Sequence, residues 1–222
     1  MSAHLISELE NMKRKLLYLG ALAEQSVRKG GVALKSLNKD LAQEVIQMDH
    51  HIDLTEVEIE EDCLKILALH QPVANDLRLV VAALKITNDL ERIGDLGVNI
   101  AERAIYLCQK APVPIPFDFE QMWQLALDMV KRSLDALVRQ DIHLAKKVCE
   151  DDDAVDNINK AMYKKVYEGI HKNPDQVESY IHYLSVSRHL ERVADYATNI
   201  CEDVIYMIEG KIVRHHPEEY LD

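Results

Sequence analysis

A thirteen-residue stretch, Leu90-Glu91-Arg92-Ile93-Gly94-Asp95-Leu96-Gly97-Val98-Asn99-Ile100-Ala101-Glu102, recurs as Leu190-Glu191-Arg192-Val193-Ala194-Asp195-Tyr196-Ala197-Thr198-Asn199-Ile200-Cys201-Glu202. The shared residues are all displaced by 100 positions, so the chain repeats a unit of about half its length. Each copy places Glu, Asp, Asn and Glu at i, i+4, i+8 and i+11. At about 100° per residue these side chains fall within roughly 80° of one another on a helix. Each copy is therefore a mostly acidic stripe. Like charges at i, i+4 destabilise an isolated helix. Such a stripe is either solvated or shared with a cation.

The rest of the sequence suits long helices. It has 222 residues with 29% charged, only 5% aromatic, and seven glycines and six prolines, enough chain for a sizeable core. The net charge of −12 excludes a phosphate-backbone partner and opposes an anionic membrane surface. Cys63, Cys108, Cys149 and Cys201 show no CxxC pairing and read as free thiols of a reducing compartment. No signal core opens the chain, and apolar runs such as 79–84 are too short to span a bilayer. A soluble, cytoplasmic protein without direct membrane insertion is expected.

Helical periodicity runs from about Leu5 to Leu37, interrupted by Gly30-Gly31, which marks a kink or a close helix–helix approach. Asp40 is the expected N-cap of a second helix, from about Leu41 to Leu69. Pro72 separates this from a third, from about Val73 to Cys108. Ala111-Pro112-Val113-Pro114-Ile115-Pro116 cannot be helical and reads as a stiff linker. After it the plan repeats: helices from about Asp118 to Arg139, to about Ile170, and on to Gly210, with turns at Gln140-Asp141 and Asn173-Pro174. No segment alternates like a strand. The expected fold is all-α, two tandem three-helix bundles related by internal duplication. Residues 1–110 form the first, 111–117 the linker, 118–211 the second, and 212–222 a loosely held tail.

Counting from the turns brings other acids to the motif. Asp53 and Asp49 precede Gln71 by 18 and 22 residues, and Glu91 and Asp95 follow it by 20 and 24. In an antiparallel pair all four stand level, about 30 Å from the turn. Asp156 and Asp152 bear the same relation to Glu191 and Asp195 about the turn near Asn173. With Glu91 at zero on the wheel, Ile93, Gly97, Ile100 and Ala104 lie opposite, which puts the stripe on the outer face of its bundle. Glu56 and Glu60 extend the acidic side of the second helix, with Cys63 and Leu67 beyond them. Carboxylates with an Asn amide are hard ligands, suited to Mg²⁺, Mn²⁺, Ca²⁺ or iron. The residues alone leave metal centre and solvated acidic face both open.

The motif pair, with Gln71-Pro72-x-Ala74-x-Asp76-Leu77-Arg78-Leu79-Val80, resembles the PhoU family of accessory regulators of phosphate-specific transport over nearly the whole chain. The resemblance implies two three-helix bundles side by side, with multinuclear iron or zinc clusters on their surfaces. It implies a cytoplasmic, non-enzymatic role in restraining phosphate uptake and the phosphate-starvation response. The implied partners are the ATPase subunit of the phosphate ABC transporter, a PhoR-type sensor kinase and a second copy of the chain in a homo-oligomer, a dimer. Carried over residue by residue, the metal ligands are Asp49, Asp53, Glu91 and Asp95 in the first half and Asp152, Asp156, Glu191 and Asp195 in the second, extended by Asn99, Glu102, Asn199 and Glu202. Asn159 and Tyr163 replace Glu56 and Glu60, so the second cluster is expected to hold fewer or weaker metals unless Asp151 and Asp153 add charge.

Two alternatives stand beside this. A ferritin-like or di-iron protein wants Glu-x-x-His on two helices, whereas Gly94 and Ala194 hold the place of the His. A helical scaffold that binds no metal is the other. His50 and His51 read as solvated, and His215-His216 as exposed in the tail. Tyr106 and Tyr206 read as packing residues, and Arg92 and Arg192 as intrahelical partners of the acids.

Overall fold

The computed structural model describes residues 3–211 and 213. Six α-helices follow one another: α1 (Ala3–Ser36), α2 (Lys39–His70), α3 (Ala74–Leu107), α4 (Phe119–Arg139), α5 (Ile142–Lys172) and α6 (Val177–Glu209). A 3₁₀ turn, Pro174–Gln176, leads into α6, and no strand occurs among the described residues. The expected tail, including His215-His216, lies outside the described residues apart from Val213.

The helix ends follow local chemistry. Asn38, not Asp40, caps α2: its side-chain oxygen accepts from the Leu41 amide at 3.0 Å. Asp40 instead lies in the first turn, where a negative charge suits the helix dipole. Asp141 caps α5 in the same way, accepting from Leu144 N. Gln71, Gln140 and Gly210 close α2, α4 and α6 in left-handed conformation.

Gly30-Gly31 does not break α1, which is continuous from 3 to 36. It permits close approaches. A Cβ on Gly30 would lie 2.8 Å from Gly97 O, and one on Gly97 would lie 2.7 Å from the backbone carbon of Ser26. A Cβ on Gly31 would run into the Trp123 indole, whose Nε1 donates to Val27 O at 3.3 Å.

Helices α1–α3 pack together, as do α4–α6. The two groups meet through α3 against α6 and α1 against α4, while α2 and α5 lie outermost. Lys85 Nζ pairs with Asp203 at 3.0 Å, Arg78 Nε donates to Met207 O at 3.1 Å, and Tyr106 donates to Glu178. These contacts make α3 and α6 antiparallel and set the two motif copies level, near the middle of the contact. Tyr106 stacks on His182 at 3.8 Å, and Lys85 stands over the Tyr206 ring, so both tyrosines serve the junction between halves. The segment before α4 also packs inward: Val113 and Phe117 are buried, and Tyr183 donates to Val113 O.

Candidate metal centres

The first acidic cluster lies where α2 passes α3. The antiparallel register predicted from the turns brings Asp49, Asp53 and Glu56 of α2 to the level of Glu91 and Asp95 of α3. Glu91 is not on a free outer face: its side chain is 16% exposed. Its Oε2 is enclosed without a hydrogen-bond partner, although Arg92 Nε lies 3.4 Å away. Asp49 Oδ1 is likewise enclosed and unbonded. The wheel failed here because it allowed α3 one apolar seam. As the helix flanked by α1, α2 and α6, it buries Leu90, Gly94 and Ala101 as well as Ile93, Gly97, Ile100 and Ala104. The wider buried arc draws Glu91 in beside α2.

The electrostatics record the crowding. Burial, then the neighbouring charge of Asp95, pushes Glu91 up to about 7, with Glu56 and Asp53 adding from α2. Burial raises Asp49, with Asp53 and Asp95 adding. Burial raises Glu56 too, reinforced by Glu60 and Asp53. Desolvation and like charge both disfavour the ionised carboxylate. A cation among these carboxylates would offset both.

The second cluster repeats this between α5 and α6. Asp152 is pushed up to about 7 by burial, then by Asp195, Asp156, Asp153 and Glu191. Glu191 is raised by burial, then by Asp195 and Asp156. Asp195, at the exposed rim, is raised by enclosure of its carboxyl and then by Asp156. The cluster carries fewer free acids. Lys160 pairs with Asp156 at 2.9 Å, and Asp151 pairs with Arg132. Asn159, in the place of Glu56, is buried and accepts from Ser187 Oγ at 2.7 Å. Of the two acids expected to compensate, Asp151 is taken by Arg132, while the exposed Asp153 adds its charge to Asp152.

The structure thus gathers Asp49, Asp53, Glu91 and Asp95, and separately Asp152, Asp156, Glu191 and Asp195. Glu56 and Asp153 join them. Of the stripe extensions, the charged pair Glu102 and Glu202 do not contribute to these shifts. Glu102 is exposed and accepts from Arg103, Asn99 and Asn199 are half-buried, and Glu202 acts on the Cys201 thiol. His50 and His51 are exposed, their rings 6.1 Å apart. Arg92 pairs with Glu91 and Asp95, whereas Arg192 donates to Tyr196 instead of an acid. All four cysteines are free thiols, with Cys63 and Cys201 buried.

The tightest convergence lies elsewhere. Among the described residues, one trio of His, Cys, Asp or Glu brings its ligand atoms within 4.8 Å of one another: His4, Glu8 and His70. Sequence reasoning missed it. The only signal was His and Glu at i, i+4 near one end of α1, with a histidine at the turn that the antiparallel fold returns to that end.

With this geometry in view, comparison with known proteins is consistent throughout. The family model described as PhoU domain matches twice, over residues 16–104 and 119–204. The phosphate-specific transport system accessory protein PhoU homolog of Aquifex aeolicus (strain VF5) is 40% identical over 211 residues, covering 95% of this chain and 96% of that protein. The phosphate-specific transport system accessory protein PhoU of Escherichia coli (strain K12) is 30% identical over 222 residues, covering 100% and 92%. The crystal structure of PhoU from Pseudomonas aeruginosa superposes with a TM-score of 0.89 at 36% identity, covering 92% of this chain and 99% of that one.

Proposed function

Because this chain belongs to the PhoU family, we propose that it is a regulatory, non-enzymatic accessory of phosphate uptake. In this reading it binds the ATPase subunit of a phosphate ABC transporter and a PhoR-type sensor kinase on the cytoplasmic side, restraining uptake and the starvation response when phosphate is plentiful. A homodimer is the proposed assembly. The observation that carries the reading is the match of both halves, across nearly the full chain, to proteins named as phosphate-transport accessories. No helix of the described residues is long and apolar enough to cross a membrane, which agrees with an accessory rather than a transporter role.

The carboxylate clusters are proposed to hold iron, zinc, magnesium or manganese. The donors fit: enclosed, unbonded oxygens at Asp49 and Glu91, and carboxyls whose mutual repulsion a cation relieves. Asp49, Asp53, Glu56, Glu91 and Asp95 would hold the first group of ions. Asp152, Asp153, Asp156, Glu191 and Asp195 would hold a weaker second one. A bound cation supplies charge neutralisation and a rigid link between neighbouring helices.

Affinity capture of the tagged full-length chain from phosphate-replete cells tests the regulatory reading. Recovery of the transporter ATPase subunit or the sensor kinase is expected. Recovery of neither would contradict the proposal.

A further inference from the structure

The His4, Glu8 and His70 trio stands at one end of the first bundle, about 25 Å along α2 from the acidic cluster near mid-helix, so the two are independent. His4 and Glu8 are one helical turn apart at the start of α1, and His70 is the last residue of α2. His4 Nε2 lies 3.3 Å from Glu8 Oε1, and His70 Nε2 lies 2.7 Å from Glu8 Oε2. The two imidazole centroids are 5.5 Å apart with their planes at 67°, so the rings face Glu8 from different directions. Glu8 Oε1 is enclosed without an aligned hydrogen bond, although Lys65 Nζ stands 3.0 Å away. Lys65, then His70, hold the Glu8 carboxyl below its ordinary range against the effect of burial.

Bonds of about 2.0–2.1 Å at a tetrahedral centre place ligand atoms about 3.4 Å apart. With one ligand atom from each residue, the three already lie within 4.8 Å of one another, so a closure of at most about 1.4 Å brings them to this spacing. Two imidazoles and one carboxylate suit zinc and its neighbours in the first transition row better than magnesium or calcium. We propose that His4, Glu8 and His70 form a divalent transition-metal site of the zinc class, with a fourth position open to water. The ion joins the start of α1 to the end of α2. Lys65 is its internal competitor, since its ammonium occupies the Glu8 oxygen that the metal needs.

The rival arrangement is a hydrogen-bonded bridge in which His70 Nε2–H donates to Glu8. Glutamine at 70 retains a donor for that bridge but offers zinc a poor ligand. Zinc titration of the full chain by calorimetry, with Co²⁺ absorption as a second readout, separates the two. The unsubstituted chain is expected to bind one more Zn²⁺ than His70→Gln and to show intense visible Co²⁺ bands that the variant loses. His4→Ala, at an exposed residue whose removal spares the core, is expected to show the same loss. Glu91→Ala/Asp95→Ala retains this Zn²⁺, and Lys65→Met binds it several-fold more tightly. Equal Zn²⁺ stoichiometry and identical Co²⁺ spectra in the unsubstituted chain, His70→Gln and His4→Ala would overturn the site.

Discussion

Glu91 is the residue at which the acidic stripe stops being a surface feature. Its side chain is 16% exposed, and its carboxyl is pushed up to about 7, as is that of Asp152. A carboxyl whose pKa rises on folding favours the fold when protonated, and that contribution is lost as pH rises through the folded value. Protein freed of metal by a chelator is therefore expected to melt at higher temperature at pH 6.5 than at pH 8. Below about 6.5 the trend is opposed by His189, pushed down to about 4 by burial first and then by Arg103, Arg192 and Arg188. Its ring stays neutral in the fold while the unfolded chain takes up a proton. Glu91→Gln should raise the melting temperature at pH 8 and flatten the rise between pH 8 and 6.5. Calorimetry across that range checks both, and an unchanged slope in the variant would show that Glu91 is not the titrating group. The sequence placed Glu91, Asp95, Asp49 and Asp53 at one level, because helix rise and turn position suffice for that. It did not reveal the half-burial of Glu91, which depends on how many helices flank α3.

At the scale of elements, periodicity, prolines and caps were enough to place all six helices, with ends displaced by a few residues. The α2 cap moved from Asp40 to Asn38 because only the geometry shows which side chain reaches the free amide. The meaning of Gly30-Gly31 also needed the structure. Kink and close approach use the same residues, and only the position of α3 and Trp123 decides between them. Gly97 faces the backbone of Ser26 and Val27, which cannot yield as a flexible side chain does. Gly97→Ala is expected to destabilise the fold by about 3 kcal/mol through overpacking, measured by urea unfolding. The matching position in α6 is already Ala197, so Ala197→Gly should cost less, about 2 kcal/mol, the helix-propensity difference plus a lost buried methyl. Equal losses at the two sites would show that the α1–α3 approach is not the tight one.

For the molecule as a whole, duplication was plain from the 100-residue offset, but the sequence left open whether α3 and α6 pack on each other or on the other bundle. An apolar stripe says that a helix face is covered without naming its cover. The α3–α6 junction is identified by polar contacts scattered over a hundred residues of sequence, such as Lys85 with Asp203 and Tyr106 with Glu178. Asp203 is 2% exposed. Lys85→Met removes a charged partner from it and should cost about 1.5 kcal/mol in urea unfolding, in the range of hydrogen bonds to charged groups. The same junction sets the two motif copies level at the centre of the molecule. Each copy then faces an outer helix that supplies the rest of its carboxylates, α2 for the first and α5 for the second. The account rests on those clusters being cation sites rather than solvated faces. Equilibrium dialysis against Mg²⁺, Mn²⁺, Fe²⁺ and Zn²⁺, on the full chain and on Glu91→Ala/Asp95→Ala, measures this most directly. The account predicts that the unsubstituted chain retains at least one ion that the double variant loses; retention of none by either form would contradict it.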